Sequence, residues 1–593
     1  MKFNKIVFYS AIYFLISCNA VNKEFSEEDK SPSIEELSQN FKSPSKEYHP
    51  ETWFHLNGNN ISKEGLKRDL QAIKDAGLQG IHLFNKAGRA FPNVKPIKIL
   101  SPEWEEMIRF AADECQRLGL KFTMQNCPGW SMTGGPWVPA NEAQREVVET
   151  TYHISGGKQF QENLKIDSLY HTPDYDYKDI QLLAFPTLAG DDLKPYNPSK
   201  IETNNRIVPW KAIFNPDSEL IVTRKNTRLK KPLKEYRKVG ISKVQNQKTW
   251  VKTSFDKEIT LRSIVFPQLR HIITGTNYPR VEVSIKVEAL INNKLQEITT
   301  LKIPDANWND RRKYLTLAVP ETTATEFKFT FLGKHAIAPE SIRLSAKPKL
   351  HNHEAKAAKV LRRLNKEVQY NYAENTIIKP ETIINLTDKL SENGKLTWKV
   401  PNGNWTIVRF GHINMRLTNK PAVPEATGWE SSKLDKIAIE NHLKNGMIGN
   451  LIKDGGPIGD GKLHGLLIDS WESHVPTWTI NSEDMFKEFE QRRGYGMKTY
   501  LPATMGYIVE STATTTKFLR DLRQTMDEVF IDNFFKHFAT VAHEMGTEVY
   551  TEGAGGEVLP VDPMRYYGVS DIPMTEFWYP KAPSDQNEYA KPI

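Results

Sequence analysis

Short apolar runs alternate with helix-like patterns over the first part of this chain. The runs 53–56, 80–84 and 120–124 have the length and apolar character of buried β-strands. Between them, apolar residues recur at helical spacing. Ser62 and Ser101-Pro102 stand where helices would begin. Strands that alternate with helices of this length predict a parallel α/β sheet.

The pattern changes between about residue 150 and residue 400, where apolar and polar residues alternate one by one. The clearest runs are 259–266, 281–287 and 326–331. A period of two predicts half-buried antiparallel strands, as in a β-sandwich. Such an inserted sandwich would either bind glycan or brace the α/β part, and bracing is the simpler interpretation.

The strand–helix alternation returns after residue 400. The predicted strands are 405–410, 464–468, 548–551 and 572–575, and the predicted helices are about 433–452, 482–492 and 516–545. With the first three, these strands make seven, whereas a closed barrel of this type has eight. The sequence therefore predicts an α/β fold, a (β/α)8-type barrel whose last strand is missing, with a large inserted antiparallel β-sandwich domain.

The first residues predict an export signal. A basic start precedes the apolar run 6–16, which is too short to span a bilayer comfortably, and Cys18 follows a small residue. This resembles a bacterial lipoprotein signal that is cut before Cys18 and lipidated on it. An uncleaved anchor or a plain secretory signal is the alternative. We expect a protein lipid-anchored to the bacterial outer membrane, periplasmic or cell-surface, that contacts the membrane only through this lipid.

These patterns divide the chain into five predicted parts. They are a signal peptide (1–18), a flexible tether (19–46), the first part of the barrel (47–149), the inserted β-sandwich (150–400) and the second part of the barrel with the acids (401–593). A length of 593 residues agrees with more than one domain. The net charge of +7 is small and the lysines are scattered, which argues against nucleic-acid binding.

Three predicted strands in the last part end on carboxylates. Asp469 and Glu472 follow 464–468, Glu552 follows 548–551, and Glu576 follows 572–575. Catalytic groups of (β/α) barrels lie at the carboxyl ends of strands, and glycoside hydrolysis uses a pair of carboxyl groups. The acids therefore indicate a site that binds and hydrolyses a sugar. The simpler interpretation is surface acids just beyond strand ends.

The chemistry constrains how such acids are arranged. One carboxyl group protonates the leaving oxygen, while the other stays ionised and activates water or attacks directly. Inversion needs a separation of about 6.5–9.5 Å and retention about 5–5.5 Å, so acids from non-neighbouring strands fit inversion better. Cys127 lies beside the candidate site, but a nucleophilic role would need a base that the sequence does not identify. His464 and His474 have no partner at metal-binding spacing.

Five sequence blocks carry a resemblance to a known family. The blocks are Trp53-Phe54-His55-Leu56-Asn57-Gly58-Asn59, Gln125-Asn126-Cys127-Pro128-Gly129-Trp130-Ser131-Met132-Thr133-Gly134-Gly135-Pro136-Trp137, Asp469-Ser470-Trp471-Glu472, Arg493-Gly494-Tyr495 and Thr551-Glu552-Gly553. Together they resemble glycoside hydrolase family 106, the α-L-rhamnosidases, and the resemblance covers nearly everything after residue 50. The resemblance implies a (β/α)8 barrel with appended β-domains, an inverting mechanism and a calcium ion associated with substrate binding. Cys127 departs from the usual Asn-Pro-Gly-Trp run.

The resemblance also implies roles for individual residues. Glu472 would be the general acid and either Glu552 or Glu576 the general base. The substrate-binding residues would be Asp469, Trp471, Asn126, Trp130, Asn57 and His55. Oxygen ligands for calcium are available from Asp469, Glu552, Glu576 and Asp562, although no EF-hand loop occurs.

The leading functional hypothesis is an exo-acting α-L-rhamnosidase that trims a rhamnose-containing polysaccharide or oligosaccharide. Because the expected eighth strand and further β-domains are missing, an inactive or non-catalytic glycan-binding lipoprotein is the alternative. A barrel glycosidase with another sugar specificity is a third, since residues that select the sugar are not evident from one chain.

Overall fold

The computed structural model describes residues 33–58, 60–88, 95–206, 208–217, 249–267, 283–304, 314–333, 341–362, 364, 370–459, 461–471, 474–553 and 561–575. The predicted lipidation site Cys18 and the predicted catalytic residues Glu472 and Glu576 lie outside these residues.

Twenty strands are described. In chain order they are β1 (Glu51–Asn57), β2 (Gly80–Lys86), β3 (Lys121–Gln125), β4 (Arg145–Ser155), β5 (Gln159–Asn163), β6 (Lys178–Pro186), β7 (Lys200–Thr203), β8 (Trp250–Phe266), β9 (Val283–Ile291), β10 (Lys294–Lys302), β11 (Leu315–Gly333), β12 (Arg343–Ser345), β13 (Ile377–Ile378), β14 (Ile384–Asn385), β15 (Lys395–Lys399), β16 (Asn404–Asn414), β17 (Gly465–Ile468), β18 (Ile508–Val509), β19 (Glu548–Gly553) and β20 (Ile572–Thr575).

The described α-helices follow the same order. They are α1 (Ile34–Lys42), α2 (Lys63–Asp75), α3 (Pro102–Leu118), α4 (Trp210–Phe214), α5 (His353–Lys356), α6 (Lys436–Asn445), α7 (Met447–Ile452), α8 (Ser482–Arg493), α9 (Thr512–Phe530), α10 (Lys536–Glu544) and α11 (Pro563–Tyr567). The predicted N-caps are confirmed, because the Ser62 and Ser101 hydroxyls accept hydrogen bonds from first-turn amides.

A six-stranded parallel sheet organises the α/β part. Its order is β1-β2-β3-β17-β19-β20, and it contains six of the seven strands predicted for the barrel. One face packs against the helices through residues such as Leu83, Met124 and Leu466. Because neighbouring strands are parallel, all their carboxyl ends lie at one edge of the sheet. Among the described residues, no helix has the length and apolar character to cross a membrane.

The prediction was wrong for one of the seven barrel strands, the run 405–410. Residues 405–410 belong to β16, which pairs antiparallel with β4 and β6 in the sheet β14-β6-β16-β4. Val408 and Phe410 face the main core, whereas Trp405 and Ile407 face a second cluster. A central strand buried on both faces has the same continuous apolar run as a parallel strand, which explains the error.

The antiparallel strands predicted for the middle of the chain are present where the structure describes them. The predicted runs 259–266 and 326–331 lie in β8 and β11, which pair over most of their length. Their sheet has the order β10-β9-β11-β8-β12 and its own hydrophobic core. The division of the chain into the five parts given above stays a prediction.

The parallel sheet is strongly curved. In a flat sheet β1 and β19 would lie about 19 Å apart, since four spacings of about 4.8 Å separate them. Yet Tyr550 Oη on β19 donates a hydrogen bond to Glu51 Oε1 on β1 at 3.2 Å. His82 on β2 lies between them, with Nε2 2.9 Å from Glu51 Oε2 and its ring 4.8 Å from the Tyr550 ring. The face that carries these side chains is therefore concave.

Replacing Glu51 by Gln should destabilise this curved sheet. Burial alone would raise the pKa of Glu51, but His82, Lys121 and Tyr550 outweigh it and lower the pKa. The ionised carboxylate therefore contributes stability above its unfolded pKa of about 4.3, and that contribution is lost as the pH falls through the folded pKa. We expect the free energy of unfolding at neutral pH to fall by about 1–3 kcal/mol.

Urea unfolding of wild type and variant as a function of pH measures this effect. The variant should lose less stability on acidification below about pH 5 than the wild type does. Glu64→Gln is the matched control, because the Glu64 side chain is 76% exposed and pairs with Arg68 on the surface. Equal pH dependence of wild type and Glu51→Gln would contradict the assignment.

Candidate active site

Some of the candidate residues lie on the concave face, towards the carboxyl edge of the sheet. Phe84, Leu467 and Tyr550, from β2, β17 and β19, form an apolar floor there, with Trp130 and Met574 packed against it. Leu467 and Tyr550 are register partners. Since side chains alternate along a strand, Asp469 and Glu552, two residues further on, belong to the same face one row nearer the edge.

His55 and Trp130 form one wall of the site. The His55 ring centroid lies 5.0 Å from the Phe84 ring and 6.2 Å from the Trp130 ring, and Lys86 Nζ lies 4.3 Å from the Trp130 ring centroid. His55 Nε2 and Trp130 Nε1 are buried with no hydrogen-bond partner among the described residues. Burial, with the charge of Lys86, lowers the pKa of His55. These two nitrogens are therefore available to a ligand.

Asn57, the other predicted residue of β1, aligns with Lys86 of β2 on the same face. Asn126 is placed differently, because its side chain is used inside the protein. Its Nδ2 donates to the Leu467 carbonyl at 2.8 Å, and its Oδ1 lies 2.8 Å from His442 Nε2. Asn126 therefore ties β17 to the segment after β3, and any effect on the pocket is indirect.

His442 and Trp137 complete this connection. Trp137 Nε1 donates to His442 Nδ1 at 3.1 Å, so the proton of the neutral imidazole is on Nε2, which donates to Asn126. Burial, together with Lys433, lowers the pKa of His442 to about 3. A helix was predicted across 433–452, but α6 ends before Gly446. A Cβ at Gly446 would lie 2.2 Å from the His442 carbonyl and 2.5 Å from Trp137 Nε1.

A segment that sequence reasoning missed holds the Pro-Gly-Trp turn. The Trp130 amide donates to the Lys420 carbonyl at 2.5 Å, and Asn419 Nδ2 donates to the Pro128 carbonyl at 2.7 Å. Gly129 has φ +99°, and a Cβ there would lie 2.6 Å from the carbonyl carbon of Lys420. No local pattern marks residues 415–433 as the partner of this turn, because the contacts join positions almost 300 residues apart.

The sequence analysis also did not predict a buried ion pair. Lys433 Nζ lies 3.0 Å from Glu430 Oε2 and donates to Thr133 Oγ1 at 3.0 Å. The two charged side chains are 0% and 5% exposed. Gln144 also donates to Glu430, at 2.8 Å. Both charges are paired and hydrogen-bonded, which is the condition under which burial is tolerated.

Trp471 lies among helices. It is 1% exposed, its ring meets Phe530 edge to face at 5.4 Å, and Lys433 Nζ lies 5.3 Å from its ring centroid. Its role as a sugar contact stays a prediction, since the described contacts are internal. Asp469 is buried, and its Oδ1 accepts a hydrogen bond from the Ser470 amide at 2.7 Å. Glu552 is also buried.

Cys127 is a buried thiol. Its Sγ donates to the Ser131 carbonyl at 3.1 Å. Burial, reinforced by Glu430 and Asp469, raises the pKa of Cys127 well above its usual value. Burial likewise raises the pKa of Cys115 to about 12. Because the thiolate is the nucleophilic form, these cysteines serve packing rather than catalysis.

The predicted calcium site stays a prediction. No group of three or more His, Cys, Asp or Glu side chains among them is arranged to hold a metal ion. Of the predicted ligands, Asp562 caps α11 by accepting a hydrogen bond from the Met564 amide at 3.0 Å. His464 lies 3.0 Å from Glu548 in an ordinary surface pair.

Replacing Gly129 by Ala should disturb the wall of the site. The positive φ and the clash with Lys420 backbone together should cost about 2–5 kcal/mol of unfolding free energy and displace Trp130. Urea unfolding and tryptophan fluorescence measure both effects. Gly496→Ala is the control, because a Cβ there meets nothing within 4 Å. Equal stabilities of the two variants would show that the close approach to Lys420 is unimportant.

Three comparisons with known proteins bear on the identity of this chain. The family model described as Glyco_hydro_106, alpha-L-rhamnosidase, matches residues 42–592. A protein of Formosa agariphila named "Putative beta-glucuronidase" is 26% identical over 565 residues, which is 95% of this chain and 34% of that protein. The solved structure of a rhamnosidase from Novosphingobium sp. PP1Y is 25% identical with a TM-score of 0.71, covering 93% of this chain and 50% of that one.

This chain therefore spans about a third of the first relative and half of the second. The family match covers nearly the whole chain and includes the strands that precede the predicted acids. The chain belongs to glycoside hydrolase family 106, the alpha-L-rhamnosidase family.

Proposed function

We propose that this chain provides the catalytic α/β domain of an α-L-rhamnosidase that removes terminal α-L-rhamnose from a rhamnose-containing polysaccharide with inversion. The observation that carries the proposal is the strand order β17-β19-β20. It makes neighbours of the three strands that precede the predicted acids, in a chain that belongs to this family. We also propose that the curved sheet is part of a (β/α)8 barrel.

The strand order favours one of the two candidate bases. Glu552 belongs to β19, the direct neighbour of β17, whereas Glu576 follows β20, two strands away. Strands are about 4.8 Å apart, so neighbours suit the short retaining separation and strands two apart suit the wider inverting one. With Glu472 after β17 as the acid, Glu576 is therefore the better base. Glu552 then contacts the sugar or the water between the two.

The described side chains suit a deoxy sugar. Rhamnose has a methyl group where most hexoses have a hydroxymethyl group, and the floor of Phe84, Leu467 and Tyr550 is apolar. His55 Nε2 and Trp130 Nε1 offer polar contacts to ring hydroxyls. A site with a mostly apolar surface and a few placed polar groups is the usual form of a ligand pocket.

The proposed steps are those of acid–base catalysis. Glu472 gives its proton to the oxygen that links rhamnose to the next sugar, and the glycosidic bond breaks. Glu576 removes a proton from a water molecule, which attacks the anomeric carbon from the opposite face. Anchoring to the outer membrane through Cys18 and a bound calcium ion remain proposals that rest on the resemblance to lipoprotein signals and to the family.

A second candidate function is β-glucuronidase activity, which the name of the Formosa agariphila relative suggests. Assays with aryl α-L-rhamnoside and aryl β-D-glucuronide side by side separate the two candidates. We expect only the rhamnoside to be hydrolysed, with β-L-rhamnose as the first product by proton NMR. Hydrolysis of only the glucuronide would refute the rhamnosidase. Hydrolysis of neither would favour a non-catalytic glycan-binding protein.

Replacing Glu472 by Gln should separate substrates by their leaving groups. Natural rhamnosides need protonation of the leaving oxygen, so their kcat should fall by about 10²–10⁴-fold. Aryl rhamnosides with acidic phenols should lose much less. Glu483→Gln is the control, because Glu483 is an exposed residue at the start of α8. Equal losses on both kinds of substrate would remove Glu472 from the acid role.

A further inference from the structure

A cavity of about 420 Å³ adjoins the segments that carry the proposed acids. Val475 and Pro476, which follow β17, form part of its wall, and Val561 and Asp562, which follow β19, form another part. Phe530 of α9 also lines it, and its ring touches Trp471. The volume lies within the range of about 300–1,000 Å³ that is usual for ligand pockets.

Two arginines of α9 line this cavity. Arg520 is exposed and Arg523 is half-buried, three residues apart on one helix. Arg523 Nε is buried and has no hydrogen-bond partner in the part of the chain that the structure describes. Nor does either guanidinium lie within 4 Å of a described carboxylate. Like charges at this spacing repel, so an anion between them would be stabilising.

The other charged residues of the wall are already engaged. Asp527 pairs with Arg565 at 3.1 Å and accepts a hydrogen bond from the Asp562 amide at 2.8 Å. Arg362 donates to Asn352 Oδ1 at 2.7 Å. Burial raises the pKa of Asp527, and burial together with Arg520 lowers the pKa of Arg523. Within the described part of the wall, the guanidinium groups of Arg520 and Arg523 therefore remain without an ion-pair partner.

The remaining wall suits the ring of a sugar. Val475, Met526 and Phe530 also line the cavity and supply apolar and aromatic surface. A guanidinium binds planar carboxylates and sulfates through paired hydrogen bonds. Apolar surface in the same cavity as two guanidinium groups matches a sugar that carries an acidic group.

We propose that this cavity is a subsite for an anionic sugar, whose carboxylate or sulfate group binds Arg520 and Arg523 beside the rhamnose to be removed. This inference rests on the proposed function for the position of the rhamnose. The substrate class it implies is an acidic rhamnose-containing glycan, either uronate-bearing or sulfated.

Binding of small probes tests the subsite without any hydrolysis. D-galacturonate, D-galactose 6-sulfate and D-galactose are titrated into the full chain at fixed ionic strength, and dissociation constants are measured from the NMR signals of the sugars. At least one acidic sugar should bind about tenfold more tightly than galactose. Arg520→Gln/Arg523→Gln should remove that advantage, and the affected probe distinguishes a uronate from a sulfate subsite.

Matched variants separate the proposed binding from general effects of removing positive charge or of lost stability. Arg68→Gln/Arg109→Gln removes two exposed helix arginines elsewhere and should leave binding unchanged. Arg523→Lys keeps the positive charge but loses the paired N–H donors of the guanidinium, so it should lose part of the affinity. Arg520→Gln alone alters an exposed side chain, so it tests the proposal even if the double variant is unstable. The Arg520 and Arg523 variants should hydrolyse a neutral aryl rhamnoside as the wild type does, because this substrate carries no acidic group. This result would separate the subsite from the catalytic proposal.

The proposal is overturned if neither acidic sugar binds more tightly than galactose. It is equally overturned if the Arg68/Arg109 control loses as much affinity as the Arg520/Arg523 variant. If acidic sugars bind through these arginines while no rhamnoside is cleaved, the subsite stands and the hydrolase is refuted.

Discussion

The curvature of the parallel sheet is the constraint on which the site depends. Side chains on its concave face must share a narrow space. Glu51, His82 and Tyr550 fill part of that space through their mutual contacts, and Tyr550 also belongs to the apolar floor with Phe84 and Leu467. The next row towards the carboxyl edge holds Asp469 and Glu552, both buried. A flat sheet would spread the same residues over about 24 Å, since five spacings separate its edge strands.

Curvature alone would not fix the loops that follow the strands. The turn after β3 is held by the 415–433 segment through hydrogen bonds to Pro128 and Trp130 and by the buried pair of Lys433 and Glu430. Removing one partner of such a pair leaves a buried charge, so the pair constrains both segments strongly. Lys433 Nζ also lies over the ring of Trp471, so the same ion pair contacts the segment after β17.

Local patterns predicted the elements well because the period of apolar residues follows from which faces are buried. The six parallel strands and the caps at Ser62 and Ser101 were found in this way. The strand at 405–410 was misassigned because burial on both faces removes the alternation that marks antiparallel strands. The break at Gly446 depends on Trp137, a contact between residues about 300 positions apart.

For the site, the sequence indicated which strand ends carry acids but not the order of the strands. Strand order is a long-range property, because β17, β19 and β20 become neighbours only when the intervening helices cross back over the sheet. Knowing that order changes the mechanistic argument. It puts β19, which carries Glu552, beside β17, and β20 one strand further. The proposal of inversion with Glu576 as base rests on that additional spacing, because a water molecule must fit between the two carboxyl groups.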